Sequence, residues 1–142
     1  ERTLYLNLTR YHKAQEAGGI LFTPAIPAYY ALDVALDELI EETVTGRIKR
    51  YAKAAQLLRT GFREIGLEFL IPENWQSNCL TSLHLPRDLN YEKLHDELKT
   101  KGFVIYAGQG SLSENIFRVA NMGDITNKEF EQFLQTLKSI LL

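Results

Sequence analysis

The tightest constraint on the fold is a run of apolar residues at Ile48, Tyr51, Ala55, Leu58, Phe62 and Ile65, in which every step is three or four. That spacing places all six on one face of an α-helix. Gly66 follows, where a glycine ends a helix by adopting the left-handed conformation that other residues avoid. A long helix with one apolar stripe must bury it against a second layer.

Shorter patterns predict that layer. Leu67 to Ile71 is an apolar run stopped by Pro72 and reads as a strand. Cys79 to Leu85 alternates, with Cys79, Thr81, Leu83 and Leu85 on one face, and Pro86 ends it. Phe103 to Tyr106 and Ile116 to Ala120 read as two more strands, with a turn at Tyr106 to Gly110 between them. Tyr91, Leu94 and Leu98 mark a short helix closed by Lys101-Gly102. Thr126 and Glu129 match a capping box, and Phe130, Phe133, Leu134, Leu137, Ile140 and Leu141 give the last helix its apolar face. Ahead of the long helix, Tyr29, Leu32, Leu36, Leu39 and Ile40 predict another, with Thr23 as its N-cap and Pro24 or Pro27 in its first turn. Gly46 is expected to end or kink it. Short loops favour antiparallel neighbours, so the fold class is α+β, a small, mainly antiparallel sheet covered by helices on one face.

A chain of 142 residues suits one core. Residues 1–22 mix Tyr5, Leu6, Leu8 and Tyr11 with charged residues and read as a linker with one short helix, ended by Gly18-Gly19. Residues 23–142 are then the domain proper. The opening Glu1 suggests a fragment whose linker joins it to a missing large domain.

Composition excludes several functions. Sixteen Lys and Arg against eighteen Asp and Glu give a net charge of −2, with no general attraction to nucleic acid or an anionic membrane. Arg47, Lys49, Arg50 and Lys53 leave room for a local basic patch. The single cysteine, Cys79, cannot form an internal disulfide, and no apolar run is long enough for a bilayer. The cytoplasm is the expected compartment.

His12, His84 and His95 are widely separated and have no partner at a metal-ligand spacing, so no metal is expected. Cys79 opens a core strand and reads as a small buried side chain. Gly108-Gln109-Gly110 lacks the third glycine of a dinucleotide loop and the Lys-Ser/Thr of a P-loop. It reads as a tight turn or a loop that approaches a ligand closely.

Two residues carry more. Alternation puts Phe117 and Val119 on one face of their strand and Arg118 on the other. A guanidinium there needs a partner, either an Asp or Glu of this domain or a bound acid gripped by its planar fork. Thr23, beside a helix start, is either a plain N-cap or a hydroxyl that meets a phosphate with the help of the helix dipole.

Taken together, Phe22-Thr23-Pro24, Arg47 to Tyr51, Leu94 to Tyr106 and above all Phe117-Arg118-Val119-Ala120-Asn121-Met122-Gly123 resemble the class V aminotransferases of pyridoxal-phosphate (PLP) fold type I. Among these the likeness is greatest to 2-aminoethylphosphonate:pyruvate aminotransferases, and it runs from about Thr3 to the end. The resemblance implies that this chain is the small C-terminal domain of a homodimeric enzyme whose large domain holds pyridoxal 5'-phosphate on a lysine. Arg118 then matches the arginine that grips the substrate's carboxylate, and Thr23 a threonine that reaches the cofactor phosphate. It implies amino transfer from a small amine to a 2-oxo acid such as pyruvate.

Ala107 and Gln109 stand where the phosphonate enzymes tend to have Pro and Lys, and Ala120 replaces a usual glycine. Alanine, serine and aspartate are therefore expected donors beside 2-aminoethylphosphonate. No lysine here has a PLP-binding context, so the chain alone is expected to be inert. Two other readings remain: a stand-alone α+β interaction module using its long helices, and another fold type I enzyme such as a desulfurase or lyase. A desulfurase would want its reactive cysteine on a loop, and Cys79 reads as strand.

Overall fold

The computed structural model describes residues 3–142. The described residues form helices α1 (Leu8–Glu16), α2 (Ile26–Glu42), α3 (Val44–Ile65), α4 (Tyr91–Thr100) and α5 (Asn127–Leu141), and strands β1 (Leu80–His84), β2 (Tyr106–Ala107) and β3 (Ile116–Ala120). They fall into two compact units, one ending at Thr43 and the other Val44–Leu142.

In the first unit the Asn7 side chain caps α1 by accepting from the Arg10 N–H at 3.1 Å. Phe22 packs its ring against Tyr5, with centroids 4.9 Å apart, and near Tyr11 at 6.0 Å. The next helix starts later than predicted. Its N-cap is Ala25, not Thr23, and no side chain bonds there. Ala25 has φ −75° and ψ 71°, and the Ile26 N–H donates to the Pro24 carbonyl at 2.8 Å. That is an inverse γ-turn, which consumes the chain between Thr23 and the helix. Pro27 sits in the first turn as expected, where its missing N–H costs nothing.

The break after α2 falls at Thr43, which has φ 67°, and Gly46 lies inside α3. A glycine within a helix costs only about 1 kcal/mol, so Gly46 need not stop one. At the end of α2, Glu41 and Glu42 oppose the helix dipole, and the last turn itself contains no basic residue.

In the second unit the sheet order is β1-β3-β2, antiparallel throughout. Thr81, Leu83, Phe117 and Val119 are buried on one face. Leu83, Phe117 and Val119 meet Leu58 and Phe62 of α3, Leu94 and Leu98 of α4, and Phe130, Phe133 and Leu137 of α5. Phe133 sits edge-on to Phe62 at 6.3 Å. The architecture is the predicted one, an antiparallel sheet with helices on one face. Gly66 closes α3 at φ 86°, and the Thr126–Glu129 capping box is present in full. Gly61 lets α5 approach α3: a Cβ there would stand 2.7 Å from Leu134 Cδ2.

Two predicted strands are shorter than their apolar runs. Leu67 to Ile71 contributes one bridge, Phe69 to Leu83, flanked by bonds from His84 N–H to Glu68 O and from Leu70 N–H to Ser82 O. A 3₁₀ turn after Pro72 (Glu73–Trp75) then carries the chain away. On the opposite edge, pairing begins only at Tyr106, because the Phe103 N–H is still bonded to the Leu98 carbonyl that closes α4. Strand β2 is therefore Tyr106, the predicted strand's last residue, with Ala107, which the sequence placed in the following loop. The alternation survives: Ile105 is buried, whereas Val104 is 56% exposed and Tyr106 65%.

Candidate functional site

Arg118 is the middle residue of the middle strand. Ser82 of β1 is its register partner on one side and Tyr106 of β2 on the other. Phe117 and Val119 are in the core, so Arg118 projects from the face that α3, α4 and α5 leave open, and Ser82 and Tyr106 project beside it. Three side chains thus stand abreast, each strand about 4.8 Å from the next.

Arg118 is half-buried. Its Nε donates to the Ala107 carbonyl at 2.8 Å. Among the described residues no carboxylate pairs with it, and its two terminal amino groups carry no hydrogen bond. The intradomain ion pair that the sequence left open is not among these contacts. A guanidinium held by Nε with both outer nitrogens free presents a planar fork suited to two oxygens of one acid group.

The glycine loop beside it has a structural cause. A Cβ on Gly108 would lie 2.6 Å from the Leu112 carbonyl carbon and 2.7 Å from Ile116 Cγ1. Gly110 has φ 56° and begins the 3₁₀ turn Gly110–Leu112 that folds back over Gly108. The close approach is between chain segments.

Thr23 belongs to the other unit. It is exposed, and its hydroxyl has no hydrogen-bond partner among the described residues. It lines a cleft of about 460 Å³ with Tyr5, Tyr11, Phe22, Pro24 and Tyr29. Desolvation, and then the neighbouring Tyr5, push the Tyr11 phenol above its ordinary pKa. The start of α2 offers few free donors, because the Ile26 N–H bonds Pro24 and those of Ala28 and Tyr29 bond Ala25. The unpaired hydroxyl fits one oxygen of a phosphate. No lysine lines the cleft, so the fit is to a contact with a phosphate-bearing cofactor, not to its attachment point.

The other candidates do not converge. His12 sits by Glu16 at 3.5 Å and His95 by Asp96 at 2.9 Å. No three His, Cys, Asp or Glu gather among the described residues, and no described helix is long and apolar enough to cross a membrane. Cys79 is half-buried just before β1.

Sequence reading passed over four residues. Ser82 and Tyr106 matter only through the register, which no local pattern reveals. Arg59 is buried, donating to Thr81 Oγ1 at 3.4 Å and to the Ser77 carbonyl. Desolvation lowers its pKa, opposed by Glu73 and aided by Arg63. Its signal was its position four after Ala55 and three before Phe62, on the apolar stripe. Asn121 is buried and donates to the carbonyls of Tyr51 and Asn78. It follows β3 directly, a polar residue at the end of an apolar strand.

No family model matches the chain. Individual proteins do. An uncharacterized aminotransferase of Methanocaldococcus jannaschii is 35% identical over 127 residues, which are 88% of this chain and 33% of that protein. A 2-aminoethylphosphonate–pyruvate transaminase of Syntrophobacter fumaroxidans is 33% identical over 145 residues, covering 99% of this chain and 39% of that one. Among solved structures, an aspartate aminotransferase of subgroup IV from Thermus thermophilus superposes with a TM-score of 0.79 at 28% identity, over 99% of this chain and 39% of that one. An alanine–glyoxylate aminotransferase from Nostoc sp. gives a TM-score of 0.85 at 22% identity over 100% and 40%, a likeness of fold.

The chain belongs to the class V aminotransferases of fold type I, as a segment of that architecture. Within the class it is homologous to the 2-aminoethylphosphonate–pyruvate transaminases at about one-third identity, and it spans 33–39% of the length of the curated relatives named above.

Proposed function

We propose that this chain is the small C-terminal domain of a PLP-dependent aminotransferase that moves an amino group from a small amine or amino acid to a 2-oxo acid such as pyruvate. The observation that carries the proposal is Arg118, a half-buried cation on an open sheet face whose outer nitrogens have no partner among the described residues. A substrate acid group would satisfy that fork and hold the rest of the molecule in one orientation. Thr23 would donate its hydroxyl to the cofactor phosphate. PLP, when bound, supplies the electron sink for the amino transfer, and the chain's own residues supply position and charge. Residues 1–22 act as the connecting segment and residues 23–142 as the small domain. The lysine that carries the cofactor lies elsewhere in a longer, homodimeric, cytoplasmic protein. The donor class comprises 2-aminoethylphosphonate, alanine, serine and aspartate, with Ala107 and Gln109 favouring the last three.

The test is the visible cofactor absorbance of the longer protein before and after each of the four amines. One amine is expected to bleach it. Arg118→Ala should keep the absorbance and raise the KM for that amine about 100-fold, on the order of 3 kcal/mol for a charged hydrogen-bonded contact. No cofactor band in well-folded protein supplied with PLP would overturn the proposal. The 142-residue chain with PLP is expected to show no turnover; measurable turnover would place the cofactor lysine within it.

A further inference from the structure

Arg118 does not stand alone on its face, and its neighbours are as unpaired as it is. Tyr106 and Ser82 are its two register partners, and neither hydroxyl has a hydrogen-bond partner among the described residues. Tyr106 is 65% exposed although it sits in a strand. The two-residue strand β2 does two things at once. Its Ala107 carbonyl takes the Arg118 Nε–H at 2.8 Å, which leaves both outer nitrogens without a hydrogen bond among the described residues. Its Tyr106 is the register partner of Arg118 and projects from the same sheet face. The packing of Gly108 under Leu112 and Ile116 holds the strand's far end.

An acid group that fills a guanidinium fork with two oxygens still has lone pairs to offer, and hydroxyl donors are what accept that offer. A tetrahedral acid also brings a third oxygen that the fork does not reach.

We propose that Tyr106 is a specificity-determining residue, donating its phenol O–H to the acid group that Arg118 holds, with Ser82 donating from the other side. The inference rests on the reading of Arg118 as the acid anchor. A planar carboxylate in the fork offers the flanking hydroxyls only the remaining lone pairs of its two oxygens. A three-oxygen acid uses all three side chains.

The test needs neither cofactor nor amine. The ¹⁵N-labelled chain is titrated with methylphosphonate and with acetate while the Arg118 Nε–Hε signal is followed. Both probes are expected to shift it. Tyr106→Phe removes only an oxygen and should weaken methylphosphonate about ten-fold, and acetate by less. Ser82→Ala should act in the same sense. In the longer enzyme the Tyr106→Phe loss should fall on KM rather than kcat. If Arg118→Ala abolishes the probe-induced shifts of the neighbouring Ala107 backbone amide while Tyr106→Phe binds both probes like the parent, the Tyr106 role is wrong and the anchor stands. If neither probe moves the Arg118 signal, the anchor fails and the Tyr106 role with it.

Discussion

Asn121 shows how one side chain can tie distant segments. It is 2% exposed, donates from Nδ2 to the Tyr51 carbonyl at 3.2 Å and the Asn78 carbonyl at 2.9 Å, and gives its backbone N–H to Cys79 at 3.1 Å. Asn121→Ala removes two hydrogen bonds to part-buried carbonyls and is expected to cost about 1–2 kcal/mol by urea denaturation. Asn121→Asp should cost more, because it turns a carboxylate toward two carbonyls. Glu129 gives a pH-dependent case. Its pKa lies below the ordinary 4.5 because the Thr126 backbone N–H, and then the Thr126 hydroxyl, donate to its carboxylate. A lowered folded-state value means the stabilisation is complete above about pH 4.5 and disappears as pH falls through the lowered value. The thermal midpoints of the parent and Glu129→Gln should therefore differ at pH 7 and converge in acid. A constant gap at all pH would mean the carboxylate's charge plays no part.

Elements were legible where periodicity was long, and misplaced where a local turn or distant pairing decided. The stripe from Ile48 to Ile65 and the Thr126 capping box gave α3 and α5 directly. The γ-turn at Ala25 displaced the start of α2, and the stop after Leu98 shortened the strand read at Phe103. Gly108 belongs to this scale. Gly108→Ala drives a Cβ into the Leu112 carbonyl and should cost about 1–3 kcal/mol, with the β2 amides losing hydrogen-exchange protection first. Helix α2 has no buried residue, and Tyr29, Leu32, Val34 and Ile40 are exposed. Apolar surface of that extent promotes association. The 142-residue chain is therefore expected to self-associate as concentration rises, and Leu32→Lys with Ile40→Lys to reduce this in sedimentation velocity.

At the scale of the molecule, every buried core side chain among the described residues lies within Val44–Leu142. Removing residues 1–43 is therefore expected to leave a cooperative thermal transition; its loss would show that the first unit is needed for folding. The sequence by itself determined the helix faces, the alternation of the strands, the α+β class and Arg118 as the residue to watch, because each depends on neighbours within a turn or two. Only the tertiary structure decided what surrounds Arg118. Ser82 is 36 residues before it and Tyr106 twelve before it in the numbering, and antiparallel register alone brings the three abreast. Register is a property of paired strands, set by how two faces bury together, and no single segment carries it.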